Sequence, residues 1–238
     1  MGSKRSYYSH QCYPDGIDIQ IVALLNQLMA RLRRADQVAR NREVVLAAAR
    51  RVFLARGYAG ASLEAIADAA GFSSGVVYSQ FGSKADMFFA LLERRIEDRA
   101  LQNERIAKEF TGAEALRELM RVAQEDAAAE PGWPFLLVEF RVIAMRDGDL
   151  NRRYAAAHAR TLAGIASVWE SLYQPMGLEP PVPVQSIAEF LQAGAVGIAL
   201  ARAANPGALP EGDAEQLLLR TLGLLDTAVR TTTAGRQR

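Results

Sequence analysis

The sequence predicts an all-α fold: an extra N-terminal helix, a three-helix unit built around a helix-turn-helix, and a larger helical body. Three observations carry that prediction. Apolar residues recur at spacings of three and four along most of the chain, which places them on one face of an α-helix. No stretch alternates apolar and polar residues with the period of two that a half-buried strand shows. Glycine, proline and short polar residues fall at the breaks, where helix caps and turns need them.

The elements follow in chain order. Residues 1–16 lack periodicity and are read as a loose tail. Ile17, Ile21, Leu24, Leu25, Leu28 and Leu32 form an apolar stripe that predicts an extra helix over about 17–38. Val44, Val45, Ala48, Val52 and Phe53 mark an amphipathic helix from Arg40 to Arg56, closed by Gly57. A short helix runs from about Leu63 to Ala70, with Ser62 as its N-cap and Gly71 at its end. Another spans Ser74 to Gln80, and Ser83 caps a long helix reaching about Lys108. Thr111 and Glu114 have the spacing of a capping box that opens a helix to about Ala129. Pro131-Gly132 stops it, and Pro134 suits the first turn of a helix to Arg146. Asp149 is read as the cap of the next helix, which ends near Pro175. Pro180, Pro181 and Pro183 make a connection. Two last helices cover roughly 184–203 and 211–230, split by Asn205-Pro206-Gly207. From Arg40 onward this gives nine helices. Three units are expected: 1–39, 40–84 and 85–238.

Composition removes several functions. The single cysteine, Cys12, has no intrachain partner for a disulfide or a thiolate metal site, and two histidines, His10 and His158, make no metal centre. The chain has no G-x-S-x-G elbow and no glycine-rich phosphate loop. Glu139, Asp149 and His158 are isolated acids or bases without a nucleophile. Neither catalysis, a cofactor nor a metal is expected. The apolar run from Ile21 to Ala30 is broken by Asn26 and Gln27 and followed by Arg31, Arg33 and Arg34, a poor secretory signal. No apolar run is read as long enough to span a bilayer. The expected place is the cytoplasm, with no membrane partner.

The net charge of +1 hides a division. Residues 1–60 carry ten Lys/Arg against four acids, a balance of +6, and the remaining 178 residues carry −5. A basic end on an acidic body points toward contact with nucleic acid or a membrane. The segment that fits such a partner follows the basic helix. Ala67, Ala70 and Gly71 are small enough to let two helices cross, and Leu63, Ile66, Phe72, Val77 and Phe81 would fix their angle. The second helix then offers Ser73, Ser74, Gly75, Val76, Tyr78, Ser79 and Gln80, short groups that can approach base edges and phosphates.

Gly57-Tyr58, Ser62, Ile66-Ala67, Ala70-Gly71 and the run Gly75-Val76-Val77-Tyr78-Ser79-Gln80-Phe81-Gly82-Ser83-Lys84 resemble the DNA-binding signature of the tetracycline-repressor (TetR) family. The resemblance covers residues 40–92. It implies that Tyr78 and Lys84 contact phosphates and that Ser62 starts a helix aimed at a phosphate. It also implies that Ser73, Ser74, Gly75 and Gln80 line the groove, with Gln80 the candidate for base readout. Val76 departs from the family, which often has Thr or Ser there, so a thymine methyl is its expected contact. Arg42 is read either as a minor-groove or phosphate contact or as a solvated arginine.

The resemblance further implies a homodimer on a palindromic double-stranded operator and a small-molecule effector held in the body. Phe190, Leu191, Gly194, Ala195 and Ile198 on one late helix, with Leu218, Leu222 and Leu225 on the next, are the expected dimer interface. Met120, Trp133, Phe135, Phe140, Met145, Trp169 and Tyr173 are the expected apolar lining of the effector site. Arg141 and His158, with Glu139 and Arg160, would orient the ligand. Two alternatives stay open. The regulator either binds a small effector or is controlled by a protein partner or dimerisation alone. Residues 1–28 either precede an internal start at Met29 or belong to a helix that packs on the reader or its dimer mate.

Overall fold

The computed structural model describes residues 19–174, 177, 179–210, 213 and 216–217. Among them are eight helices and no strand: α1 (Ile19–Gly60), α2 (Leu63–Ala70), α3 (Ser74–Phe81), α4 (Lys84–Glu109), α5 (Gly112–Ala129), α6 (Trp133–Ala144), α7 (Gly148–Tyr173) and α8 (Val184–Ala204). The tail 1–16 and most of the expected helix 211–230, with Leu218, Leu222 and Leu225, lie outside the described residues.

The expected break near residue 39 is absent. The extra helix and the basic helix are one continuous α1, because neither Gly nor Pro stands between Ile19 and Arg56. Gly57, at φ 71°, makes the turn that ends the regular helix. The two halves of α1 have different surroundings. Val45, Leu46, Ala48, Ala49, Val52 and Phe53 are buried, whereas Ile21, Leu24, Leu25, Leu28, Met29, Leu32, Val38 and Val44 are exposed. Val44 therefore leaves the face that the sequence assigned to it, and Leu46 and Ala49 take its place.

Local caps set the short helices. Ser62 Oγ accepts the Ala65 N–H at 3.1 Å, and Gly71 ends α2 in the left-handed region at φ 73°. Ser83 Oγ accepts the Asp86 N–H and donates to the Asp86 carboxylate, a reciprocal cap at the start of α4. Two expected caps differ. Thr111 holds the N-cap position of α5 without a side-chain cap bond. Asp147 rather than Asp149 caps α7, its Oδ1 accepting the N–H groups of Asp149 and Leu150. Gly148 fits the first helical turn, so the helix starts earlier.

Packing crosses the expected 84/85 boundary. Phe53 and Tyr58 of α1, Phe88 and Phe89 of α4 and Phe140 of α6 form one aromatic core. Phe88 stacks on Phe140 with centroids 4.0 Å apart, and Tyr58 meets Phe140 edge-on at 4.8 Å. Glu130, the buried charged residue at the end of α5, pairs with Arg50 of α1 and Arg95 of α4. Burial alone would raise its pKa, but the Arg50 hydrogen bond and the Arg95 and Arg50 charges win and hold it below the usual carboxylate value. A second core, Ile106, Ala115, Trp169, Leu172, Tyr173 and Ile187, joins α4, α5, α7 and α8 further down the body.

Against the expectation from sequence, α8 is long and apolar enough by length and composition to cross a membrane, with a mean hydropathy of 1.4 over its best window. Its Val, Ile, Leu and Phe residues supply most of that value, with its alanines adding to it. It packs on α7, burying Ile187 and Ala188 and leaving Phe190 64% exposed.

Candidate nucleic-acid interface

The turn between α1 and α2 is fixed from two sides. The Glu139 carboxylate accepts the N–H groups of Tyr58 at 2.9 Å and Ala59 at 2.8 Å. From the other side Lys84 Nζ donates to the carbonyls of Tyr58 at 2.8 Å, Ala59 at 3.3 Å and Ala61 at 2.9 Å. The ammonium also lies 4.6 Å from the centroid of the Tyr58 ring. With that turn held, the N-termini of α2 and α4 open onto one shallow depression of about 330 Å³. Its walls include Ser62, Glu64, Tyr78, Ser83 and Lys84. Helix N-termini present free N–H groups and a positive dipole end, so this surface favours an anion.

Tyr78 stands at the rim, 46% exposed, with its hydroxyl donating to Glu64 Oε1 at 2.9 Å. That hydrogen bond raises the phenol above its ordinary value. Glu64 is lowered by its own backbone N–H first, then by the bonds from Tyr78 and Ser62. Ser73, Gly75 and Ser79 are exposed beside it, and Ser74 and Val76 are half-buried. The Ser79 hydroxyl donates back to the Val76 carbonyl at 2.8 Å.

Other expected contact residues are engaged within the fold. Arg42 lies over the Phe81 ring at 4.2 Å and donates to the Gln80 carbonyl at 3.1 Å, tying α1 to the end of α3. Gln80 Oε1 is buried without a hydrogen-bond partner, so the amide is not simply displayed outward. Glu64 and the structural role of Lys84 were not read from the sequence. Both depend on α2, α3 and α4 converging, which no local spacing encodes.

Residues 45–91 match the bacterial regulatory proteins of the tetR family, and residues 112–226 match the C-terminal part of the BetI-type transcriptional repressors. The chain belongs to the TetR family of transcriptional regulators. Over 196 residues it is 28% identical to the transcriptional repressor AcnR of Corynebacterium efficiens, covering 82% of this chain and 95% of AcnR. It is 40% identical to the transcriptional activator FasR of Mycolicibacterium smegmatis over 68 residues, 28% of this chain and 31% of FasR. The fold matches FadR of Bacillus subtilis, solved in complex with stearoyl-CoA, with a TM-score of 0.61 at 18% identity, over 77% of this chain and 96% of FadR.

In this TetR-family chain the residues expected to line an effector site divide among three places. Met120, Trp169 and Tyr173 meet at the second core, between α5 and α7. Trp133 and Phe140 belong to the first core, and Phe140 is wholly enclosed by aromatic rings. Met145 is 70% exposed and Arg141 faces outward, while Phe135 is half-buried. His158 is half-buried and stacked on Tyr154 at 5.9 Å. Burial and the Arg141 charge lower its pKa, against a smaller opposing effect from Glu189. Glu139 serves the turn at Tyr58 rather than a ligand, and Arg160 pairs with Glu93 at 3.1 Å. Of the expected dimer residues, Phe190 and Ala195 are exposed, and Leu191, Gly194 and Ile198 are half-buried.

Proposed function

We propose that this regulator is a repressor that binds a palindromic operator as a homodimer and is released by a small, largely apolar effector. One observation carries the DNA half: two helix N-termini, Tyr78 and Lys84 surround a single anion-favouring depression next to the exposed side of α3. A phosphate seated there would bring Ser73, Ser74, Gly75, Val76 and Ser79 to the major groove, with Ser62 at the backbone. Gln80 would reach a base edge only by leaving its buried position. Arg42 would fix the angle of α3 rather than touch DNA.

The open face of α8 around Phe190 supports a second copy packing there, which would set two readers about 34–36 Å apart for successive grooves. The effector half is supported by FadR, a similar fold that holds stearoyl-CoA. In this chain the corresponding reading places the apolar ligand against Met120, Trp169 and Tyr173. At about 1.5 Å per residue, α4 carries the chain roughly 33 Å from Lys84 at the reader to Ile106 in that core. A ligand that prefers another α4 tilt would shift the population away from the DNA-spaced dimer.

The test is fluorescence anisotropy on an operator selected from random DNA, at fixed salt, with and without long-chain acyl-CoA. Operator affinity that falls on ligand addition, with a raised melting temperature of the free protein, supports the reading. If acyl-CoA and a broad panel of apolar ligands change neither quantity, control by a protein partner or by dimerisation alone takes its place.

A further inference from the structure

The outward half of α1 serves neither the reader nor the body, and its sequence has a register. With Leu25, Leu32 and Ala39 at a positions of a heptad, Ile21, Leu28 and Ala35 fall at d. Ile21, Leu25, Leu28 and Leu32 each expose more than half of their surface. The same register runs on into the reader, where Leu46, Ala49 and Phe53 are buried. One stripe of one helix is thus core at its C-terminal end and uncovered at its N-terminal end. The opposite face carries Asn26, Gln27, Arg33, Arg34 and Gln37, which suit water.

We propose that two copies of this chain pair through residues 21–39 as a parallel, in-register coiled coil. The flanking positions name the occupant. In a parallel pair each g residue faces the e residue five positions further along the other helix. That places Leu24 against the partner's Met29 and Arg31 against the partner's Asp36, apolar with apolar and plus with minus. An antiparallel pair sets g against g and e against e and loses this match. Residues 19–30 contain no Lys or Arg, so beside the most apolar turns the polar positions carry amides rather than the cations by which an interfacial helix docks on an anionic membrane, and Arg31, Arg33 and Arg34 come only after them. A row of leucines likewise offers a phosphate backbone nothing to accept or neutralise.

The experiment uses the full chain with Cys12→Ser, which removes the native thiol. Leu28→Cys in that background places two sulfurs across the seam, within disulfide reach. Gln27→Cys places them one residue round the helix, on the outer face. Mild oxidation should link the Leu28→Cys protein into a covalent dimer about tenfold faster than the Gln27→Cys protein. In the parent sequence, Leu25→Glu/Leu32→Glu should raise the concentration at which sedimentation finds half of the chains as dimers, because the α8 contact then acts alone. The near-ultraviolet circular dichroism of the core should stay unchanged, since both side chains are exposed. Arg31→Asp should weaken pairing and Arg31→Asp/Asp36→Arg should restore it. Equal oxidation rates for the two cysteine variants would overturn the proposal. So would an unchanged dimer midpoint, or a Leu25→Glu/Leu32→Glu phenotype confined to lost flotation with anionic vesicles or to lost DNA affinity.

Discussion

Glu139 of α6 and Tyr58 at the end of α1 are joined by a 2.9 Å hydrogen bond from the Tyr58 N–H to the Glu139 carboxylate. The residues lie 81 apart in sequence, and the second oxygen takes the next N–H in line, from Ala59. A helix of the body therefore holds the turn from which the reader's second helix departs. Gly57 makes the contact possible: it sits at φ 71°, and a Cβ there would lie 2.5 Å from Glu139 Oε2.

Removing the grip should destabilise the protein. A glutamine at 139 retains one carbonyl oxygen for two N–H groups, and turning its amide toward the buried Tyr58 would leave that N–H without an acceptor, at a cost of about 1–3 kcal/mol. Glu139→Gln is expected to lower the unfolding free energy by about that amount in urea titration. Gly57→Ala adds left-handed strain to a steric clash and should cost about 1–3 kcal/mol or more. Values within about 0.5 kcal/mol of the parent for both would show that the contact carries no weight.

Lys84 has two jobs that substitution can separate. It offers charge to the depression at the DNA face, and its three donors hold the carbonyls of Tyr58, Ala59 and Ala61. Lys84→Met should weaken binding to all DNA sequences alike and reduce the slope of log affinity against log salt by about 1. It should also lower the melting temperature. Lys84→Arg keeps the charge but replaces three rotatable donors by a planar fork, so it should retain the salt slope and still lose thermal stability. Anisotropy at several salt concentrations, paired with thermal melts, reads both effects.

The Tyr78–Glu64 pair places a carboxylate beside the surface proposed for phosphate. A phosphate contact requires the Tyr78 hydroxyl to turn from Glu64, and Glu64 repels the incoming anion. Glu64→Gln should therefore tighten operator binding, and Tyr78→Phe should loosen it by about tenfold, the scale of one hydrogen bond to a charged group. Coulomb energies in water at several ångströms are about 1 kcal/mol, so the gain from Glu64→Gln should be about threefold to fivefold. A weaker Glu64→Gln protein would mean that the carboxylate orients Tyr78 for DNA instead of restraining it.

The reader was largely legible because its signals are local. Ser62, Gly71 and Ser83 act within three or four residues of themselves, and each caps the helix end that the spacing assigned to it. The continuity of α1 was also written in the sequence, in the absence of Gly or Pro between Ile19 and Arg56, although the apolar stripes of 17–38 and 40–56 read as two helices. What could not be read was convergence. Glu139 meets Tyr58 and Lys84 meets Ala61 only after α4 and α6 have packed. Aromatic residues gave the least guidance. Phe140 and Trp169 look alike as apolar helix positions, yet one fills the junction with the reader and the other lies in the second core.

His158 supplies a pH dependence with a definite sign. Burial and the nearby Arg141 charge hold its folded pKa below the ordinary imidazole value, although Glu189 opposes them. The unfolded chain titrates near about 6.5, so between that value and the lower folded pKa the unfolded state binds more protons. Stability from this group is complete above about 6.5 and is lost as pH falls toward the folded pKa. The urea midpoint should accordingly drop between about pH 7.5 and 5.5, and His158→Gln should flatten that part of the profile. The neutral ring stacked on Tyr154 is the state that the fold selects, so ring protonation and loosening of α7 at that point are one event. If His158→Gln leaves the pH profile of the parent unchanged, the acid sensitivity belongs to the carboxylates, with Glu130 between Arg50 and Arg95 the first to test.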